Sequence, residues 1–166
     1  MKILFLSLVA VCALRASPVS LPVIKLRDFA LADQYAQMRN YRFPKPTVTI
    51  MAVADYHGAV QLAPWIKSIY YRYRKRIDID GVADVSMIPD LLRSALRELF
   101  KRGLTYSVML DWDGSVVKQF AYQRGVANIY VIDRHGWIVG HFTGQLNDQS
   151  LRTLFTQIDA EIAKTG

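Results

Sequence analysis

The chain has 166 residues and a mass of 18.9 kDa, which predicts one domain with a full hydrophobic core rather than two. Hydrophobic residues make up 52% and charged residues 21%, so an intrinsically disordered chain is excluded, and the formal net charge is +7. Cys12 is the one cysteine of the sequence, which excludes an internal disulfide, a thiolate metal cluster and a two-thiol redox cycle.

The first residues have the pattern of a secretory signal peptide. Lys2 provides a positive start, and the apolar run from Ile3 to Val11 is too short to span a bilayer. Compact residues fit a peptidase cut after Ala13 or after Ala16. We therefore expect residues 1–16 to be a signal peptide and the protein to be exported, either periplasmic or secreted.

Three other interpretations of this segment stay open: a buried first strand, a short membrane anchor, and a lipoprotein acylated at Cys12. Val11 argues against the lipoprotein, because a smaller residue normally precedes the acylated cysteine. Export also argues against a nucleic-acid partner for this basic chain.

The region before the first core strand is weakly patterned. Residues 17–46 are interrupted by prolines and are predicted to be an extended lead-in to a domain over residues 47–166. Thr47–Ala54 is β-branched and almost uniformly apolar, which is typical of a strand buried on both faces of a parallel sheet. A loop over residues 55–63 then leads to Pro64 in the first turn of a helix.

The helix after Pro64 is amphipathic, with Tyr70 and Tyr73 expected in its buried stripe and its bases on the outside. Tyrosines and basic residues are interleaved in Tyr70–Arg76, and an alternative interpretation of this stretch is a binding surface for anionic polymers or membranes. Residues 93–102 form a second basic cluster, and solvated helix faces are the simpler explanation for both clusters.

A second strand is predicted at Ile77–Ala83, and a second long helix from Pro89 to about Gly103. The apolar stripe of this helix is expected to consist of Ile88, Leu91, Leu92, Ala95, Leu96 and Leu99.

The last third of the chain alternates strands and short connections. Tyr106–Leu110 is a predicted strand, Ser115–Ala121 a short amphipathic stretch, and Asn128–Ile132 with Trp137–Thr143 a hairpin. Asn147 can cap a final helix. The order predicts an α/β fold with a mixed sheet of about five strands and helices on both faces.

Several sequence segments in this region resemble those of the thioredoxin-like superfamily. They are Tyr106–Gly114 with its Asp-Trp-Asp-Gly turn, Tyr122, and Gly125–Val139 with its Ile-Asp-x-x-Gly hairpin. The resemblance is to the redoxin branch, which holds the exported TlpA-like proteins and the peroxiredoxin-type AhpC/TSA enzymes, and it covers about Phe29 to Ile162. It implies a thioredoxin-like, peroxiredoxin-type sheet.

Two departures from that family concern its redox site. The resemblance assigns the Cys-x-x-Cys positions to Tyr56–Ala59, and no peroxidatic cysteine stands in this loop either. Ala127 occupies the place of the family's cis-proline, and a cis bond before alanine is costly, so a trans bond is expected.

The loop that carries the family's reactive group remains the best candidate site. The candidate binding residues are Asp55, Tyr56, His57, Gly58 and Ala59, with Val126, Ala127 and Asn128 on the facing loop. His57 beside Asp55 could act as an acid or base, but the loop contains no nucleophile. A recognition surface for another protein or a peptide is the favoured interpretation.

Other chemistry has little support. His135 and His141 lack the further ligands of a metal site, and Tyr122 stands where a calcium loop beginning at Asp111 needs a bidentate glutamate. No phosphate-binding glycine loop or serine-hydrolase motif is present. We therefore expect no metal and no cofactor.

The leading hypothesis is an exported thioredoxin-like protein without redox-active cysteines, acting as a non-enzymatic binding or accessory module in the cell envelope. The alternative is a divergent oxidoreductase or peroxiredoxin-like antioxidant enzyme that uses a non-cysteine residue or the thiol of a partner. A third possibility is a basic protein held at an anionic envelope surface.

Overall fold

The computed structural model describes residues 24–164 of the chain, so the predicted signal peptide and Cys12 lie outside the described part. The strands are β1 (Phe29–Ala32), β2 (Met38–Tyr41), β3 (Thr49–Ala54), β4 (Asp78–Asp84), β5 (Met109–Asp111), β6 (Asn128–Ile132) and β7 (Ile138–Thr143). The α-helices are α1 (Tyr56–Ala59), α2 (Leu62–Tyr73), α3 (Arg93–Gly103) and α4 (Asp148–Ala163). Short 3-10 helices cover Arg74–Arg76, Asp90–Leu92 and Val117–Phe120.

Five of these strands form the central sheet in the order β5-β4-β3-β6-β7. β3, β4 and β5 are parallel, whereas β6 is antiparallel to β3 and β7 is antiparallel to β6. All residues of β3 are buried, as its nearly uniform apolar sequence predicted, because the strand lies in the middle of the sheet. The prediction of an α/β fold with a mixed five-stranded sheet is confirmed.

Alternate side chains of β3 enter two separate cores. Ile50 and Ala52 pack on one face with the apolar sides of α2 and α4. Met51 and Val53 pack on the other face with Phe120 and with residues of β1 and β2. Because burying one large apolar side chain contributes about 1.5–3 kcal/mol, these two cores hold the layers together and position the loops at the ends of the strands.

The described part of residues 17–46 contains an antiparallel hairpin, β1–β2, where the sequence predicted an extended lead-in. One oxygen of Asp33 accepts the backbone N–H groups of Tyr35 and Gln37, both at 2.9 Å, and holds the turn. Its other oxygen accepts the Ser107 hydroxyl at 2.6 Å, which ties the hairpin to the chain entering β5. The sequence does not predict these strands because β2 is mostly exposed and shows no clear alternation of apolar residues.

α2 has the predicted amphipathic pattern with one exception. Trp65, Ile69 and Tyr73 are buried, and the indole N–H of Trp65 donates to the Gly144 carbonyl at 2.9 Å. Tyr70, which the sequence pattern placed in the buried stripe, is 53% exposed. Its position lies at the margin of the helix face, where a side chain can turn to either side.

The stripe predicted on the second long helix is wrong. None of the residues of α3 is fully buried, Leu91 before it is 91% exposed, and Leu99 is 65% exposed. The guanidinium groups of Arg93 and Arg97 instead lie 5.1 and 5.5 Å from the centre of the Trp112 ring. Cation–π contact between these arginines and Trp112 thus takes the place of the expected leucine packing.

The end of the chain agrees with the sequence pattern. β6 has its predicted bounds, and β7 begins at Ile138 rather than Trp137. The Asn147 side chain accepts the backbone N–H of Ser150 at 2.9 Å and caps α4 as predicted.

Candidate functional site

The two segments singled out by the sequence lie side by side at the carboxyl end of β3. Residues 55–59 leave β3 and form α1, while residues 126–128 enter β6. β6 is antiparallel to β3, and Val53 is aligned with Asn128. The exit of one strand therefore lies next to the entry of the other, and the structure brings the predicted loop and its facing segment together.

Asp55 joins these two segments. Its Oδ1 accepts the backbone N–H of Gly58 at 2.9 Å and caps α1. Its Oδ2 accepts the backbone N–H of Gly125 at 2.8 Å. Both carboxylate oxygens thus accept hydrogen bonds from backbone groups, and no hydrogen bond joins Asp55 to the His57 ring.

Gly58 is required by the closeness of the two segments. A Cβ at this position would lie 2.2 Å from the Val126 carbonyl oxygen and 2.5 Å from its carbonyl carbon. Because both atoms belong to the backbone, no side-chain rotation could relieve the clash. Gly58 therefore lets α1 pack directly on the facing loop.

Ala127 and Asn128 are fully buried, so they support the loop and present no side chain to a partner. The Asn128 amide donates to the carbonyl groups of Gln123 at 2.8 Å and Val126 at 2.9 Å. Its Oδ1 faces Nε2 of His141 at 3.0 Å, and since Oδ1 can only accept, Nε2 carries the proton. The Ala127 N–H donates to the side chain of Gln61 at 3.2 Å.

Tyr56, His57 and Ala59 are exposed, while Val126 is half-buried. The Tyr56 side chain is 84% exposed, and its ring lies edge to face with the His57 ring at 5.5 Å between centres. An aromatic ring and an imidazole are thus presented together on a loop whose backbone is held by Asp55 and Gly58. Such a surface is suited to recognition.

A polar cluster at the carboxyl end of β4 lies beside this loop. The side chain of Asp84 is 2% exposed. It accepts hydrogen bonds from the Ser86 hydroxyl at 2.6 Å, from the Tyr122 hydroxyl, and from Nη2 of Arg124 at 3.0 Å. The cluster therefore ties the segment that carries Tyr122 and Arg124 to the end of β4.

The ionisation of this cluster is set by its hydrogen bonds. Burial alone would raise the pKa of Asp84, but the hydrogen bonds from Ser86 and Tyr122 and the charge of Arg124 hold it below its usual range. Burial, followed by the hydrogen bond to Asp84, raises the pKa of Tyr122 above its ordinary value. At neutral pH Asp84 is ionised and Tyr122 is protonated. The hydrogen bond between them therefore has a structural role, and the pair is not suited to acid–base catalysis.

The sequence pattern predicts only part of this cluster. Asp84 directly follows the predicted strand Ile77–Ala83, and side chains at the carboxyl ends of neighbouring parallel strands meet at one edge of the sheet. That rule would have placed Asp84 near Asp55. Nothing in the sequence signalled Tyr122 and Arg124 as its partners.

Large exposed apolar side chains also occur in the segments that follow β3 and β4. Tyr56 and Val60 follow β3, while Met87 and Leu91 follow β4, and all four are between 77% and 91% exposed. β3 and β4 are adjacent and parallel, so both pairs lie on segments that leave the sheet at its carboxyl edge. We call Tyr56, Val60, Met87 and Leu91 the carboxyl-edge patch.

Neither a known family model nor a curated protein matches this chain. A proposed thiol:disulfide interchange protein DsbE from Chlorobium tepidum is 20% identical to it, with a TM-score of 0.63 over 86% of this chain and 99% of that one. The pneumococcal exposed lipoprotein thioredoxin of Streptococcus pneumoniae is 15% identical, with a TM-score of 0.62 over 79% and 99%. The thioredoxin domain of a thiol-disulfide oxidoreductase from Bacteroides vulgatus is 16% identical, with a TM-score of 0.59 over 84% and 99%. The fold is thioredoxin-like.

In the thioredoxin-like fold, the predicted loop can be compared with the position of the family's redox site. The resemblance assigns the two thiol positions to Tyr56 and Ala59, which are the first and last residues of α1. The sequence from residue 24 to residue 164 contains no cysteine. Within these residues the only cis peptide bond is Phe43–Pro44, so the bond before Ala127 is trans.

No group of three or more His, Cys, Asp or Glu side chains within residues 24–164 could hold a metal ion. His135 is exposed on the β6–β7 turn, whereas His141 stacks on Tyr130 with 4.2 Å between ring centres. Across the same residues, no helix combines the length and apolar character needed to cross a membrane.

Proposed function

We propose that this thioredoxin-like protein is exported and binds an apolar segment of another protein or peptide at the carboxyl-edge patch, without exchanging thiols. The observation that carries the proposal is Tyr56. It stands at the position that the resemblance assigns to the first redox thiol, and the residue is 84% exposed on a loop whose backbone Asp55 and Gly58 hold in place.

The chemistry of the patch supports binding. Tyrosine and other large side chains contribute most of the free energy at protein interfaces when a partner removes them from water. Tyr56, Val60, Met87 and Leu91 provide such area, while Asp55 and Gly58 fix the backbone that presents Tyr56. A preorganised surface loses little conformational entropy on binding.

The residues available support a function without thiol exchange. Asp55 has both oxygens bound by backbone N–H groups, and Ser86 donates its hydroxyl to Asp84. No activated nucleophile is thus present in the described loop. The lone Cys12 precedes the domain and lies within the predicted signal peptide.

Export is supported by the charge and apolar pattern of residues 1–16, by the lipoprotein name of the pneumococcal structure, and by the DsbE name of the Chlorobium one. Cleavage after Ala13 or Ala16 would leave a mature chain without sulfhydryl groups. Acylation at Cys12 is the alternative, and it would keep the protein at a membrane surface.

One experiment tests binding and thiol exchange together. Peptides are selected on the purified protein from a random library displayed on phage, and the same protein is assayed for reduction of insulin disulfides. We expect apolar peptides whose affinity falls about tenfold with Tyr56→Ser and is unchanged with Tyr106→Ser, an exposed tyrosine away from the patch. We expect no insulin reduction above the blank.

Equal loss of affinity with both serine variants, or no selected peptide, would remove the carboxyl-edge patch as the binding site. Insulin or peroxide reduction that persists in a Cys12→Ser variant would establish the alternative, an oxidoreductase that uses a non-cysteine residue or an external thiol.

A further inference from the structure

The outer side of α2 carries a basic and aromatic surface remote from the chemistry of the carboxyl edge. Lys67, Tyr70 and Tyr71 recur at helical spacing on α2, and all three are exposed. Arg74 and Lys75 directly follow the last residue of α2, are exposed, and line one groove together with Tyr70. The core contacts of this helix are made by other residues, so Tyr70 and Tyr71 are free to meet a partner. We call Lys67, Tyr70, Tyr71, Arg74 and Lys75 the α2 basic face.

The positive charge of this face is not neutralised within the domain. No acidic residue occurs between Tyr56 and Ile77, whereas five bases do. Arg72 is bound by Asp159 at 2.8 Å. Among residues 24–164, no carboxylate lies within 4.0 Å of the charged groups of the three bases of the α2 basic face.

A groove of about 780 Å³ continues the α2 basic face towards β2 and β4. Two acids line it, but Asp78 is paired with Lys45 at 2.9 Å and Asp80 with Arg39 at 3.4 Å. These acids therefore do not cancel Arg74 and Lys75, which line the same groove, and the net charge of the groove is positive.

The apolar part of the surface distinguishes between anionic partners. The rings of Tyr70 and Tyr71 lie 6.2 Å apart, and Nζ of Lys67 lies 5.9 Å from the centre of the Tyr71 ring. Met38, 60% exposed, adds an apolar side chain on the other side of the groove. A soluble polyanion would need only the bases, whereas tyrosine rings beside lysine and arginine suit the boundary between headgroups and acyl chains.

We propose that the α2 basic face docks on the surface of a bilayer containing anionic phospholipid. The bases meet the phosphate headgroups, and Tyr70 and Tyr71 enter the interfacial layer. This inference concerns a different face from the carboxyl-edge patch and does not depend on peptide binding or on the absence of thiol chemistry.

The test is sedimentation of the purified protein with vesicles of phosphatidylcholine alone or with about a third phosphatidylglycerol. Wild-type protein is expected to bind the anionic vesicles at least about tenfold more strongly, and binding should weaken as salt is raised. Lys67→Glu with Arg74→Glu should reduce binding about tenfold or more, and Tyr70→Ser with Tyr71→Ser several-fold.

The matched control reverses two exposed bases elsewhere, Arg102→Glu with Lys118→Glu, and keeps the same net charge as the α2 charge variant. All variants share the same N-terminal residues, so any membrane affinity of the run Ile3–Val11 is equal among them. Urea midpoints verify folding, and a glutamine pair at Lys67 and Arg74 replaces the glutamate pair if that pair unfolds.

Three outcomes would overturn the proposal. The first is equal binding to neutral and anionic vesicles, and the second is an equal loss of binding in the control variant. The third is vesicle binding that is unchanged by Tyr70→Ser with Tyr71→Ser and is released by soluble glycerol phosphate at matched phosphate concentration. That result would indicate a free anion as the ligand.

Discussion

At the residue scale, most residues of the candidate site hold its backbone in place, and two do not. Asp55 caps α1 and holds Gly125, and Asn128 holds the loop before β6. Gly58 supplies the close contact between the two segments. Within the described residues, no hydrogen bond holds the side chain of Tyr56 or of His57. These two side chains are therefore the ones available to contact a partner.

Replacing Gly58 by alanine should destabilise the protein by about 1–3 kcal/mol, because the new Cβ would overlap the Val126 backbone. The measurement is urea unfolding. Gly103→Ala is the matched control, since a Cβ there meets no atom within 4 Å, and it should be neutral or stabilising by up to about 1 kcal/mol. Equal midpoints for both variants would show that α1 does not pack on the facing loop.

His141 should make stability depend on pH below neutrality. Burial lowers the pKa of His141, so the unfolded chain takes up a proton at this side chain at a higher pH than the folded protein does. Stability is therefore expected to fall as pH drops from about 7 to about 5.

The free energy of unfolding, measured across that range, checks this. His141→Gln, which can still donate to Asn128, should flatten the dependence, whereas His135→Gln on the exposed turn should leave it as in the wild type. A steeper or unchanged slope in His141→Gln would contradict the assignment.

At the scale of elements, α2 and α3 show how the same kind of pattern can lead to different outcomes. Both have apolar residues at helical spacing, but α2 lies against the core with α4, whereas α3 places arginines against Trp112. Helical periodicity identifies a helix, and it does not decide which neighbouring surface the helix meets.

Leu91→Gln and Leu99→Gln should each change the free energy of unfolding by no more than about 0.5 kcal/mol, because both side chains are exposed. Leu154→Ala, at a fully buried position of α4, should cost about 2–5 kcal/mol in the same urea experiment. A cost above about 2 kcal/mol at either exposed leucine would mean that the stripe is covered in solution.

At the scale of the whole molecule, the thioredoxin-like sheet separates two surfaces. The carboxyl-edge patch lies at the ends of β3 and β4, whereas the groove beside the α2 basic face includes Asp78 and Ile79 at the start of β4. A protein docked on a membrane through the α2 basic face would thus keep the carboxyl-edge patch available to a second partner.

The predicted export also belongs to this scale, because processing of the N-terminus would fix the length of the mature chain. The mass of the mature protein should correspond to cleavage after Ala13 or Ala16, and a diacylglycerol adduct at Cys12 would instead establish the lipoprotein. An unprocessed N-terminus would contradict both.

The sequence alone determined the central strands, the amphipathic helices α2 and α4, the cap at Asn147 and the thioredoxin-like resemblance. These features depend on local periodicity, on capping chemistry, or on motifs close together in the chain. Asp55 and Gly58 were also found this way, because they lie on the loop that the resemblance marks.

Only the tertiary structure decided the hairpin β1–β2, the exposure of Tyr70 and Leu99, and the partners of Asp84. Each depends on contacts between segments far apart in sequence: Tyr122 lies 38 residues from Asp84, and Asp33 lies 74 residues from Ser107. Local patterns carry no information on such distances, because the sheet order that brings these segments together is a property of the folded chain.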